Sequence, residues 1–179
     1  MNTLANKMAV AIKRANPEQT HSIEIMQYSL SILLNTLFSF TVSLMIGWFT
    51  GKLVETLIFF FSFAILRMCS GGFHLKSALA CNSVSIFICA TLPHLTGFSD
   101  QTLIAINCFN FLTMLIFAPN PDVNVKISAT SAPLLKVISV LLVGCNFYIG
   151  SAVMGLAFLT QSLTIITLKR RRADEKDFG

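Results

Sequence analysis

Charge is what this sequence has least of: Asp, Glu, Lys and Arg make up 12% of its 179 residues, while 54% are hydrophobic. Soluble domains carry about 25% charged residues, so a domain wetted on all sides and a disordered chain are both poor readings. Cysteine is scarce and unpaired in pattern. Its 5 copies (69, 81, 89, 108, 145) form no CxxC pair and have no histidine at zinc-ligand spacing, which argues against a disulfide framework and a metal site. Neither a metal nor any other cofactor is expected. The first fifteen residues lack the apolar core and small-residue cleavage site of a signal peptide. What the chain has in quantity is apolar runs, with 16 phenylalanines among them and a mean hydropathy of +0.72. The fold class is therefore all-α, a polytopic membrane protein.

The expected organisation is one integral membrane domain over residues 1–179. Lys7, Lys13 and Arg14 stand opposite Leu4, Met8, Ile12 and Ala15 at helical spacing, predicting an interfacial amphipathic helix over 1–16 that Asn16-Pro17 breaks. A transmembrane bundle follows over 27–168. Apolar runs at 27–49, 53–68, 78–95 and 102–117 each suit one span, although 53–68 reaches only about 24 Å as a helix against a hydrocarbon core of roughly 30 Å. The last block, 134–168, exceeds one span. Asn146 and the Tyr148-Ile149-Gly150-Ser151 stretch predict two short helices with a tight turn, six spans in all, against a competing count of five.

Basic residues near helix ends collect on the cytoplasmic side. Six spans put both termini there, together with Lys7, Lys13, Arg14, Arg67, Lys76, Lys126, Lys136, the Lys169-Arg170-Arg171-Arg172 cluster of the 169–179 tail, and Lys176; Lys52 alone lies outside. The net charge of +5 is then a topological signal, and no nucleic-acid partner is expected. The loops at 67–76 and 118–133 should emerge on the same, cytoplasmic face.

The first of these loops reads Arg67-Met68-Cys69-Ser70-Gly71-Gly72-Phe73-His74, and Cys81 follows seven residues after the histidine. The Gly-Gly pair breaks any continuous helix here. A thiol becomes a nucleophile at neutral pH when an imidazole can take its proton. Seven residues along one helix separate two groups by about 10 Å, too far for a hydrogen bond. Ser77 offers a way out as an N-cap that starts a helix at Ala78, with Cys81 in its first turn near the positive end of the dipole and His74 on a loop. Spacing alone leaves this reading beside a plainer one, a histidine at the membrane surface and a packed thiol.

Arg67-x-x-Ser70-Gly71-Gly72-x-His74 with Cys81 resembles the signature of the accessory gene regulator B (AgrB) family, membrane cysteine endopeptidases of Gram-positive quorum sensing. The likeness covers nearly the whole chain: its length, basic amphipathic start, several spans, the Ala118-Pro119 step after the fourth span and the basic tail. One departure stands out, since family members often carry Lys-Pro and more lysines where this chain has Ala118-Pro119 and Asn124-Val125-Lys126-Ile127. The resemblance implies His74 and Cys81 as the catalytic pair, supported by Arg67, Ser70, Gly71 and Gly72. It implies a multi-pass protein of the bacterial cell membrane, its active site on the cytoplasmic side. The substrate would be an AgrD-type propeptide with an amphipathic leader, a cyclisable centre and an acidic tail. Cys81 would release the tail through an acyl-enzyme thioester, and an internal Cys or Ser of the substrate would close a thiolactone or lactone. Lys76, Pro119, Lys126 and Lys169 to Arg172 are the candidate substrate contacts. The bilayer and a second copy of the chain are the other expected partners.

Other polar residues draw structural expectations. Glu55 suits an (i, i+3) pair with Lys52, and Asn35, Asn82 and Gln161 should bond neighbouring helices. His94 falls at the outer end of its span, away from the dyad; Cys89, Cys108 and Cys145 read as packing. The competing functions are a small peptide transporter without covalent chemistry and a membrane adaptor. A transporter predicts ionisable residues within the spans or internal repeats, and the sequence offers no clear repeat and few central charges.

Overall fold

The computed structural model describes residues 2–18, 20–72, 78–120 and 131–177, with residues 2, 78 and 167–177 described as backbone alone. They form seven α-helices: α1 (Asn2–Ala15), α2 (Ile23–Phe49), α3 (Leu53–Ser70), α4 (Ala78–Thr91), α5 (Asp100–Phe117), α6 (Ala132–Ile149) and α7 (Ala152–Asp177). Four of them, α2, α3, α5 and α6, are long and apolar enough to cross a membrane. The apolar helices Leu79–His94 and Ala152–Ile166 are shorter, the first ending in a 3-10 turn, Leu92–His94, started by Pro93.

Local chemistry sets several of these boundaries. Ser22 and Ser99 accept from the N–H three residues on, of Ile25 and Thr102, and so start α2 and α5. The last apolar block divides where expected. Gly150 turns left-handed, and the Asn146 side chain donates to Ser151 O at 3.1 Å while accepting from Ser151 N at 3.1 Å. The same amide reaches Asn107 Oδ1 at 2.9 Å, tying the α6–α7 turn to α5. Further along, Asn110 donates to Gly155 O and accepts from Ser162. These amides are fully buried or nearly so, and pairing them avoids the cost of unmet polar groups in an apolar interior.

α3 is central, packing against α2, α6 and α7. Its Leu66 joins Met114, Val143, Phe158 and Ile165 in one buried cluster, and its Phe59 joins Cys89, Val153 and Ala157 in another. The C-terminal ends of α3 and α5 meet beside Ile165 of α7, so Gly71-Gly72 after α3 and Asn120 after α5 lie together.

In α1 Leu4, Met8 and Ile12 stay exposed, the face an interfacial helix turns to lipid, while Ala5 and Ala9 are fully buried; α1 packs against α2, and alanines let two backbones approach closely. One expectation about faces needs correcting. Of the thiols assigned to packing, Cys89 is buried, but Cys108 and Cys145 are exposed on the outer surface. A thiol is a small apolar group that can face lipid tails as easily as protein.

Candidate active site

α3 ends in the last residues of the motif. Gly71 N–H still bonds Arg67 O at 2.9 Å, but Gly71 (φ 76°) and Gly72 (φ 135°) leave the helical region for backbone angles that side chains with a Cβ rarely adopt. This sharp exit is held from two sides. On the first, Asn120 makes a short parallel bridge to the turn: Asn120 N donates to Ser70 O at 2.8 Å and Gly72 N donates to Asn120 O at 3.1 Å. Asn120 follows the Ala118-Pro119 step, whose peptide bond is cis. Its side chain also donates to Ile165 O of α7 at 3.4 Å.

The second side is Gln161 of α7, fully buried. Its Nε2 donates to Ser70 Oγ at 2.9 Å and to Gly71 O, and its Oε1 accepts from Thr164 Oγ1 at 3.1 Å and, more loosely, from Arg67 at 3.4 Å. The Arg67 guanidinium also lies 5.8 Å from the Phe63 ring centroid, within cation–π range. Ser70, fully buried, closes the arrangement by donating to Leu66 O at 2.7 Å. Interhelical hydrogen bonds in membrane proteins average about 0.6 kcal/mol each, so stability alone is a modest return for so many polar groups on one turn.

Cys81 lies in α4, near Ala78 where the described part of this helix starts, and is partly exposed. The next residue anchors this helix: Asn82 Nδ2 donates to Asn35 Oδ1 of α2 at 3.1 Å. The nucleophile candidate is thus held from α2, while the Gly-Gly turn is held from α5 and α7. His74, Lys76 and the proposed Ser77 cap lie outside the described residues, as does Lys126. Lys169, Arg170, Arg171 and Arg172 continue α7 as helical backbone, their side chains outside the description.

Arg67, Ser70, Gly71 and Gly72 are therefore gathered on one turn, and the Pro119 loop is docked on it. His94 is exposed beyond the far end of α4, roughly 20 Å along the helix from Cys81. Glu55 pairs with Lys52 at 2.7 Å, the expected (i, i+3) contact. Reading the sequence assigned Asn35, Asn82 and Gln161 to helix contacts and left out Asn120 and Thr164. The available signal for Gln161 was an amide inside an apolar run with a hydroxyl three residues on; Asn120 had none beyond its place after Ala118-Pro119.

The family model described as accessory gene regulator B matches residues 2–168. The chain is 32% identical over 86 residues to an AgrB-like protein of Halalkalibacterium halodurans, a stretch covering 48% of this chain and 44% of the relative. An AgrB-like protein of Clostridium perfringens is 34% identical over 94 residues, covering 52% of this chain and 44% of the relative. The matched stretch is thus less than half the length of these curated relatives. No solved structure matches.

Proposed function

Because this chain belongs to the accessory gene regulator B family, we propose that it processes an AgrD-type propeptide, with Cys81 as nucleophile and His74 as general base and then acid. The observation that carries this reading is Cys81 on α4, partly exposed and nine residues after Gly72 in the sequence. A nucleophile needs access and a fixed position, and α4 with its Asn82–Asn35 tie supplies both. The cysteines compete unequally. Cys89 is buried, and Cys69 lies in the last turn of α3 without a histidine in an equivalent motif position.

The reaction follows from these roles. The Cys81 thiol gives its proton to His74 as its sulfur attacks the carbonyl joining the substrate's central segment to its tail; the imidazolium returns the proton to the departing amine, leaving a thioester. An internal thiol or hydroxyl of the substrate then attacks the thioester carbonyl, closing the ring and releasing Cys81 as a thiol. Hydrolysis would waste the intermediate, so the site must admit the substrate's own nucleophile ahead of water, and a site at the membrane edge suits that demand. Purified protein with the propeptide, followed by mass spectrometry, tests the reading: the expected products are a free tail and a leader-ring fragment lighter than its hydrolysed form by one water.

We further place the reaction on the cytoplasmic side of the bacterial cell membrane, with the basic residues of the chain drawing in the acidic tail. In a variant whose five native cysteines are replaced, a cysteine placed at Ser99 should react with an impermeant thiol reagent outside intact cells. One placed at Asp122 should react only after permeabilisation, as the positive-inside bias requires. The reverse pattern would overturn this orientation.

A further inference from the structure

We propose that Gln161 is a positioning residue for this reaction: its buried amide fixes Arg67 and the Ser70-Gly71-Gly72 turn, which precedes His74 by two residues in the sequence. The inference rests on the reading of His74 and Cys81 as the reacting pair.

A glutamine amide has two N–H donors and an oxygen with two lone pairs. At Gln161 both N–H groups are engaged, Nε2 donating to Ser70 Oγ and Gly71 O, while Oε1 accepts from Arg67 and shares the single Thr164 hydroxyl proton with Gln161 O. The partners also fix which end of the amide points where. Gly71 O can only accept and the guanidinium can only donate, so a flipped amide would set oxygen against oxygen and N–H against N–H. Three of the four partners, Arg67, Ser70 and Gly71, belong to the motif itself. The fourth, Thr164, holds the amide in register, since its hydroxyl lies within bonding distance of both Gln161 O (2.8 Å) and Oε1 (3.1 Å).

A glutamine serving only as glue between two helices would bond the flank of its neighbour. Gln161 instead bonds the point where α3 stops being a helix, two residues before His74. Gly72 is pressed against the same group: a Cβ there would lie 2.9 Å from Thr164 Oγ1 and 3.1 Å from Gln161 Nε2. The motif glycine and the α7 amide thus fit one another. Glutamate, equal in shape, would keep a partner for Arg67 but turn an oxygen toward Gly71 O; leucine would keep the bulk and lose every bond.

The test uses full-length protein in liposomes with the propeptide as substrate. Gln161→Glu, Gln161→Leu and Thr164→Val are compared with the unmodified chain for kcat and KM of tail release and for thermal unfolding. The pH profile of Cys81 alkylation, followed by peptide mass mapping, is measured alongside. Both Gln161 variants should lose about tenfold to a hundredfold in kcat, the scale of a misplacement near 1 Å, with KM within about twofold. Thr164→Val should lose about threefold to tenfold by the same reasoning. In each, the alkylation profile should move toward that of a thiol without a basic partner. A purely structural Gln161 would lower the folded fraction while leaving kcat per folded protein and the alkylation profile as they were, and that result would overturn the inference. If neither Gln161 variant folds, Thr164→Val decides by the same two readouts. An unmodified chain whose own alkylation profile is that of an isolated thiol would instead sink the His74–Cys81 reading beneath it.

Discussion

Cys81→Ala is expected to abolish tail release, a loss on the order of 10⁴-fold or more in kcat, with insertion and thermal unfolding unchanged. Removing a nucleophile deletes the covalent route altogether, whereas its alanine replacement gives up only a sulfur that is already partly exposed. Cys69→Ala is the matched control, a thiol at the end of the neighbouring α3. It should retain most activity. Quantifying released tail by mass spectrometry separates the two. Near-normal processing by Cys81→Ala, or equal loss in both variants, would mean that Cys81 is not the nucleophile.

Gly72→Ala should have the next largest effect, about a hundredfold or more in kcat. Two costs coincide there. At φ 135° a residue with a Cβ is strained, by about 1–3 kcal/mol, and the new methyl would stand 2.9 Å from Thr164 Oγ1. Something must shift, and what shifts is the turn or the Gln161 cluster that holds it. Gly51→Ala separates strain from collision: its φ of 71° also disfavours alanine, yet nothing lies within 4 Å of the added Cβ. Kinetics on both variants should show turnover within about twofold of normal for Gly51→Ala, because strain of about 1–2 kcal/mol remote from the site lowers stability rather than catalysis. Comparable loss in both would show that backbone strain in general, rather than this turn, limits the reaction.

The features legible in the sequence were those that chemistry writes locally. Asn146 and Gly150 announced the α6–α7 turn, and the Gly-Gly pair announced the end of α3. What could not be read was which helix meets which, and by which face. In water an apolar stripe marks the buried side of a helix, but in a bilayer lipid tails are as apolar as leucine, so the stripe carries no direction. That is why Cys108 and Cys145 face outward while Cys89 faces inward, and why Ala5 and Ala9 rather than Leu4, Met8 and Ile12 meet α2. Buried polar groups were the better guide. Asn35, Asn82 and Gln161 do join neighbouring helices, yet the partner of Gln161 is 91 residues away at Ser70 and no local pattern names it. Asn120 was missed because it holds the turn chiefly through its backbone, which any residue type could supply.

The covalent step is the centre of this account, and it can be caught directly. A propeptide whose internal cyclising residue is replaced by alanine can acylate the protein but cannot close a ring, so the thioester should persist until water reaches it. Intact-mass analysis after rapid mixing should show the protein heavier by the leader and central segment without the tail. Peptide mapping should place that mass on Cys81, and hydroxylamine should remove it. Release of the tail with no adduct at any time, or an adduct on a residue other than Cys81, would contradict the mechanism.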